Sequence, residues 1–434
     1  MPGWVIGHAI EPSDRDFRVA QSIRSVPEFG IVWALVLLVV AQPLSVTAGD
    51  FEGALRQTIS RHPALIGKQA EVRSRQSELE AVLGQRYPTL SVQASANDDS
   101  TQPASLSLRQ PLWTFGRIEA NVALAESELD AEEADLSGLR RELIDQTAAA
   151  YVKVRSAKER VTLALENVSA LGQLLGQIER RSQAQLASRT DVALVQARLI
   201  QARNQLAQFE GDVVQAAEEL LALTQVAVPA SQGVASKWWE LSSPEQLMDS
   251  VLQGSTTLRR KERLIEVAQA RVEHERRASL PTVYFQADRY INQTTTKKGM
   301  VIGIGFESSF EGVGLVARAR VDAALARLDA ARQDLETTRS ALQRQVSSLW
   351  SRRDQKNGLR LELRRSINVF EALLASYVRQ YTAGSKSWLD LINLQRETYE
   401  QRLQLLAAEH DWLSDSVKLS ALSCRLDDAV KDTN

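Results

Sequence analysis

The chain contains one long helical unit twice, and this duplication limits the fold more than any other feature. Leu129, Leu136 and Leu143 stand seven apart and are followed by Tyr151; Leu328, Leu335 and Leu342 stand seven apart and are followed by Trp350. The offset is 199, from Leu129 to Leu328. It also carries Asp130 to Asp329, Arg140 to Arg339, Asp191 to Asp390, Gln205 to Gln404 and Leu223 to Leu422. A constant offset over that span means two copies of equal length without gaps, the mark of a repeat architecture.

Composition supports helices over a globular core. Among 434 residues hydrophobic content is 44%, yet aromatics are only 6%, and Ala, Leu, Gln, Arg and Glu fill a heptad-like period. A net charge of −2 gives no bulk attraction for nucleic acid. The single cysteine, Cys424, allows no internal disulfide and reads as a small helix residue near the chain end. His8, His62, His274 and His410 lie at spacings that do not suit metal ligation. Gly303 and Gly305 sit in a strand pattern, not a phosphate loop. No convergent catalytic, metal or cofactor site emerges, so the expectation is a non-enzyme without cofactors.

The chain divides as follows. Arg15, Arg18 and Arg24 precede an apolar run, Ile31 to Ala41, then Pro43 and Val46-Thr47-Ala48. The run is shorter than the roughly 20 residues of a spanning helix. We expect residues 1–48 to be a cleaved signal peptide, the alternative being an N-terminal anchor. The first repeat covers 49–228: short helices broken at His62-Pro63, a β-hairpin over 88–113, and a helical hairpin over 116–224. A linker follows at 229–243. The second repeat covers 244–427, with a β-hairpin at 281–310 and a helical hairpin at 312–426; residues 428–434 are a C-terminal tail.

The hairpins show a period of two. Leu90 and Val92, Leu106 and Leu108, Val283 and Phe285, and Ile302, Ile304 and Phe306 alternate with Ser, Thr, Gln, Gly or charged residues. Polar turns are expected at Asn97–Ser100 and Thr294–Gly299. The long arm from Gly116 to about Gln185 has no proline and would measure roughly 100 Å. It turns near Leu186–Asp191, where Ser, Thr or Asp can cap the return helix. The second arm turns near Thr382–Ser387, with Gly384 as an αL cap.

Four strands of this length cannot close a barrel, and an open edge cannot face lipid. Roughly eight strands are needed for closure. If the hairpins span a membrane, the chain must therefore oligomerise. The nine apolar strand residues named above would face lipid, and the small polar face would line water. Tyr87, Trp113, Phe115, Tyr290 and Phe310 would form interfacial girdles. The alternative is a soluble coiled-coil structural protein with two small sheets. It explains the helical period, but not the export signal or an apolar strand face without a second sheet.

The residues resemble the TolC-like outer-membrane channels over the whole mature chain. The matching stretches are Arg61-His62-Pro63-Ala64-Leu65, Tyr87-Pro88-Thr89-Leu90, Gln110-Pro111-Leu112-Trp113 with Gly116, Ala187-Ser188-Arg189-Thr190-Asp191-Val192, and Gly384-Ser385-Lys386-Ser387-Trp388-Leu389-Asp390. The last, running on to Leu394-Gln395-Arg396-Glu397, is most similar to the branch serving type I secretion of adhesins and toxins. The resemblance implies a mainly α fold with a small transmembrane β part. It implies a homotrimer whose twelve strands form one barrel in outer-membrane lipid, on a helical periplasmic tunnel. The implied function is a passive exit duct of a type I secretion system, and the alternative is the outer-membrane part of a small-molecule efflux pump. The tips, Ala187, Ser188, Arg189 and Thr190 with Gly384, Ser385, Lys386, Ser387 and Trp388, would meet a periplasmic adaptor. That adaptor would be bound to an inner-membrane ABC transporter or proton-driven pump. Asp390 matches a position where some members carry an aspartate ring at the tunnel entrance. Asn393 stands where a second acidic ring would need an aspartate, and Asp191 is the counterpart in the first repeat. Asp191 and Asp390 read equally as gate residues or as helix caps.

Overall fold

Proline and glycine set where the helices begin, and Ser-initiated caps set where the chain turns back. The computed structural model describes residues 51–94, 104–291, 299–308 and 314–431. The expected signal peptide, the turn at 97–100, most of the turn at 294–299, and Phe310 and Gly312 lie outside these residues. The described residues all belong to one unit, Thr47–Asn434.

The first copy opens with α1 (Phe51–Arg61) and α2 (Pro63–Leu83). His62 divides them: its Nδ1 accepts from Ala64 N–H, and Pro63 takes the first helical position, where a missing N–H costs nothing. Strands β1 (Thr89–Ala94) and β2 (Ala104–Trp113) lead to α3 (Arg117–Gln183) and α4 (Arg189–Thr224). The second copy repeats the order with α5 (Pro244–Gly254), α6 (Thr256–Ala278), β3 (Thr282–Ile291), β4 (Met300–Glu307), α7 (Leu315–Thr382) and α8 (Trp388–Leu422). Gly116 and Gly314 precede α3 and α7 at φ +82° and +88°, a left-handed conformation that suits a residue without Cβ. The two long helices have 67 and 68 residues, each about 100 Å long. No described helix is long and apolar enough to cross a membrane.

A helix this long with a narrow apolar stripe must lie against neighbours. α3 packs along α4, α7 along α8, α6 against both α3 and α7, and α3 against α8. The main core sits where the two copies meet. Phe51 and Leu55 of α1, Ile144, Tyr151 and Val154 of α3, Leu220 of α4 and Val417 of α8 are buried together. The Phe51 and Tyr151 rings meet edge-on at 5.4 Å. A second cluster, Leu247, Val251, Leu342, Val346 and Leu419, serves the second copy.

The segments between and after the repeats are packed. In the 229–243 linker, Val234 and Trp238 join the main core, and Trp238 donates its indole N–H to Glu52. The C-terminal tail packs too. Asp428–Lys431 forms the short helix α9, and Ala429 and Val430 bury against α1, where Arg56 Nε donates to the Ala429 carbonyl. Cys424 is not a helix residue. α8 stops at Leu422, and Cys424 turns the chain at φ +66° so that Leu426 can reach the core.

Candidate functional site

Two regions collect the chemistry left exposed by this fold: the sheet and the paired helical tips. The sheet has the order β1-β2-β3-β4, all antiparallel. The inner pairing, β2 with β3, joins the two repeats, which local sequence pattern could not reveal. β2 and β3 have 10 residues each, enough to cross a bilayer when tilted. Among the described residues, the outer edges of β1 and β4 have no strand partner.

Register gathers the apolar residues on one face, with Arg289 and Gln110 as its polar members. Val92, Leu106, Arg289 and Met300 form one row; Leu90, Leu108, Ala287 and Ile302 form the next; Phe285 stands beside Ile304, and Val283 beside Phe306. All nine expected apolar residues thus share one face. Val92 and Ile304 are each 74% exposed. Leu108, Val283 and Phe285 are only half-exposed, because they lie on inner strands and are shielded from both sides. On the opposite face, Arg109 spans β3: its guanidinium lies 4.2 Å from the Tyr284 ring centroid and bonds Glu307 on β4 at 2.9 Å. Gln286 Nε2 donates to Asp288 at 2.6 Å on the same side. Gly305 leaves the room that the Tyr284 ring fills; a Cβ there would lie 2.4 Å from it. Pro111 has no N–H for the ladder, and the register slips between Pro111 and Trp113. Trp113 and Phe115 are both exposed at the strand end, with rings 5.8 Å apart.

The two tips are built alike. Gln185 and Gly384 take the left-handed conformation at φ +60° and +76°. Leu186 N–H returns to the Arg181 carbonyl, and Ser385 N–H to the Gln380 carbonyl, closing both helix ends. Ser188 and Ser387, not the aspartates, are the N-caps of the return helices. The aspartates differ. Asp191 completes a capping box: its N–H donates to Ser188 Oγ and its carboxylate accepts from Ser188 N–H, both at 3.0 Å. Asp390 donates its N–H to Ser387 Oγ at 3.2 Å, but its exposed carboxylate has no partner among the described residues. Asn393 is exposed one turn further on. Of the expected tip residues, Gly384, Ser385 and Ser387 are exposed, as are Arg189 and Thr190, while Ala187 and Trp388 pack partly against the tip core.

That core joins the two hairpins. Leu171, Leu174 and Ile178 of α3 and Val195 and Leu199 of α4 are buried with Tyr381, Leu391 and Ile392. Polar links reinforce it. The Arg181 guanidinium lies 4.4 Å from the Tyr381 ring centroid, Tyr399 Oη donates to Gln205 Oε1 at 3.2 Å, and Arg402 reaches Glu166 at 3.3 Å. Burial raises the pKa of Tyr399, which keeps its hydroxyl a donor. Sequence reading missed these three links. The repeat is no guide to them: Arg181 answers Gln380 and Tyr381 answers Ser182, whereas Gln205 answers Gln404 and Arg402 answers Arg203.

Comparison with known proteins agrees with this geometry. Residues 54–224 and 247–424 match the sequence profile of the outer membrane efflux protein family. The chain is 24% identical over 321 residues to the outer membrane efflux protein BepC of Brucella suis, covering 72% of this chain and 70% of that one. Its fold matches the outer-membrane channel OprN with a TM-score of 0.74 at 20% identity, over 86% of this chain and 89% of the other. It matches the open MtrE outer membrane channel of Neisseria gonorrhoeae with a TM-score of 0.72 at 17% identity, over 86% and 88%. A doubled helical hairpin, an open two-faced sheet and a profile match across both repeats converge, and the chain belongs to the outer membrane efflux protein family, whose place is the outer membrane.

Proposed function

We propose that three copies of this chain close into one twelve-stranded barrel and act as a passive exit duct. The observation that carries this is the sheet: four strands, two unpaired edges and an uncovered apolar face. In lipid each open edge needs a partner strand, and β4 of one copy pairing with β1 of the next supplies it without a new element. Two copies would reach eight strands, the smallest number that closes well. Three would leave a wider, polar-lined lumen and match the trimeric habit of the family. The family and fold are those of passive channels rather than enzymes.

The tips would face a periplasmic adaptor that hands cargo over from an inner-membrane transporter. For cargo we favour small molecules over exported proteins. The sequence favoured type I secretion, but the relative BepC is named an efflux protein. Secretion stays as the second reading because of the tip motif Gly384 to Asp390. Asp390 is the better gate candidate of the two aspartates, because its carboxylate has no partner among the described residues while that of Asp191 is engaged in its own cap.

The experiment extracts the chain from outer membranes and compares boiled with unboiled gels and planar-bilayer conductance. A trimer-sized heat-sensitive band with a discrete conductance is expected; a soluble monomer without conductance would sink the duct. Complementing an efflux-deficient and a secretion-deficient strain then separates the cargo classes. If only secretion is restored, small-molecule export is the wrong assignment.

A further inference from the structure

The two repeats superimpose helix by helix. α3 and α7 keep the offset of 199. α2 and α6 keep an offset of 193, the step from Pro88 to Pro281, and it carries the N-cap His62 to the N-cap Ser255. An ion pair repeats with it: Lys68 of α2 meets Asp135 of α3 at 2.5 Å, and their counterparts Lys261 of α6 and Asp334 of α7 meet at 2.5 Å. α2 therefore sits on α3 as α6 sits on α7, and α6 also lies against α3. The helices run α2, α3, α6, α7, in the order of the strands they join.

Along this row α3 is flanked on both sides and α7 on one. Leu124 and Ala134 of α3 are 5% and 7% exposed, while their counterparts on α7, Ala323 and Gln333, are exposed. What α7 lacks is the neighbour that α6 is to α3. By the repeat that neighbour is an α2, and the chain's own α2 stands at the far end of the row.

Three ion pairs join α6 to α3: Arg260 to Asp135 at 2.8 Å, Arg263 to Asp130 at 3.5 Å and Arg271 to Glu128 at 3.3 Å. On α2 the three arginines are answered by Gly67, Ala70 and Glu78; on α7 the carboxylates are answered by Asp334, Asp329 and Arg327. Two of the pairs lapse, and their aspartates are engaged within the chain, Asp334 by Lys261 and Asp329 by Arg332 at 3.3 Å. The third survives with its signs exchanged: Glu78 replaces the arginine and Arg327 the glutamate. Gly67, Ala70, Glu78 and Arg327 are all exposed. Arg327 has no ion-pair partner among the described residues, and Glu78 is engaged through Oε2 alone, by Arg75 of its own helix at 2.7 Å.

We infer that α2 of one copy docks on the open side of α7 of the next, with Glu78 bonded to Arg327 across the boundary. The inference rests on the reading of several copies in one ring, and it names the helical seam that continues the β4–β1 pairing. The exchanged signs also reject wrong neighbours. An α6 on this side of α7 would set Arg271 against Arg327, and an α2 in the place of α6 on α3 would set Glu78 against Glu128.

Two tests use the full chain in outer membranes. Arg327→Glu and Glu78→Arg each put like charges at the seam and should lower the yield of heat-sensitive oligomer about threefold or more, since every seam in the ring is hit. The double reversal should bring the yield back to within about twofold of the unaltered chain; damage confined to one helix would not be rescued. The second test does not depend on these charges. In a Cys424→Ser background, Ala70→Cys and Asp329→Cys, the counterparts of the bonded Arg263 and Asp130, are treated with a short bismaleimide. Covalent dimer and trimer on boiled gels are expected for the double-cysteine variant, and monomer for either cysteine alone. Absence of cross-links, or a double reversal no better than the worse single one, would overturn the inference. A heat-sensitive, conducting oligomer from the unaltered chain would then leave the duct standing, whereas no oligomer from it would sink both.

Discussion

Replacing Ile304 by Lys tests whether the apolar sheet face meets lipid. Ile304 lies near the middle of β4, beside Phe285, and is 74% exposed in the isolated chain. If that surface faces water, a lysine there should change stability by no more than about 0.5 kcal/mol. If it faces hydrocarbon near the midplane, the charge should cost about 2–4 kcal/mol per chain, and three copies would lose roughly 6–12 kcal/mol per trimer. The control is Gln286→Lys, on the opposite face of the adjacent strand, next to Gly303 and hydrogen-bonded to Asp288. A lysine there stays in a polar row, with the Asp288 carboxylate in reach to offset Arg109 opposite it on β2. The assay is the outer-membrane yield of the heat-sensitive oligomer and its urea midpoint. Ile304→Lys should lose most of the oligomer, and Gln286→Lys should keep it. Equal behaviour of the two variants would refute the assignment of the faces.

Other outcomes follow from the same structure. Gln185 holds φ +60° without being glycine, so Gln185→Gly should stabilise the first tip by roughly 0.5–1 kcal/mol, whereas Gly384→Ala at φ +76° should cost about 1 kcal/mol; thermal melts of the two variants that moved in the same direction would contradict this. Asp191→Asn should weaken its capping box by up to about 1 kcal/mol with unchanged ion selectivity, while Asp390→Ala should reduce cation selectivity in a bilayer; unaltered conductance and selectivity in the latter would end the gate assignment. Arg181→Ala removes a cation–π contact of about 0.5–1 kcal/mol between the hairpins and should raise spontaneous single-channel conductance; an unchanged open level would argue that this contact does not hold the tips together. Burial holds the Asp145 carboxyl above its ordinary range, with Lys418 opposing and Glu142 adding. The folded chain then binds more protons than the unfolded one, so stability falls as pH rises from about 4, the ordinary carboxylate value, to the folded-state value. Asp145→Asn should remove that fall and melt higher at pH 7; parallel pH profiles for the two proteins would refute it.

Local signals carried the elements far better than the contacts between them. The long helices were legible because an uninterrupted stripe of Leu, Val and Ala without proline permits little else. Their ends were legible because Gly116, Gly384, Ser188 and Ser387 occupy the positions where φ or an unpaired N–H demands those residue types. The sheet faces were legible because period two fixes sidedness whatever the pairing. Neither the β2–β3 pairing nor the Arg181–Tyr381 contact leaves a local trace, because each joins residues far apart in sequence. The packing of segment 229–243 does leave a local trace: two adjacent tryptophans, Trp238 and Trp239, are poor company for solvent.

The repeat also separates what backbone geometry requires from what each tip is free to vary. Both tips need a left-handed residue and a serine cap, and both have them, at the same offset of 199 from Gln185 to Gly384 and from Ser188 to Ser387. Gln185 occupies the left-handed position at a conformational cost that Gly384 avoids, so the requirement is for the turn and not for the residue. Both tips also carry an aspartate at the third helical position, but only Asp191 closes a capping box. If Asp390 served the cap alone, the second tip should show the same carboxylate-to-backbone bond, since its backbone is equivalent. It leaves that bond unmade and presents the carboxylate to solvent with Asn393 beside it. The two tips thus hold the same residue differently: Asp191 is engaged in its own cap, and the Asp390 carboxylate stands exposed at the start of α8.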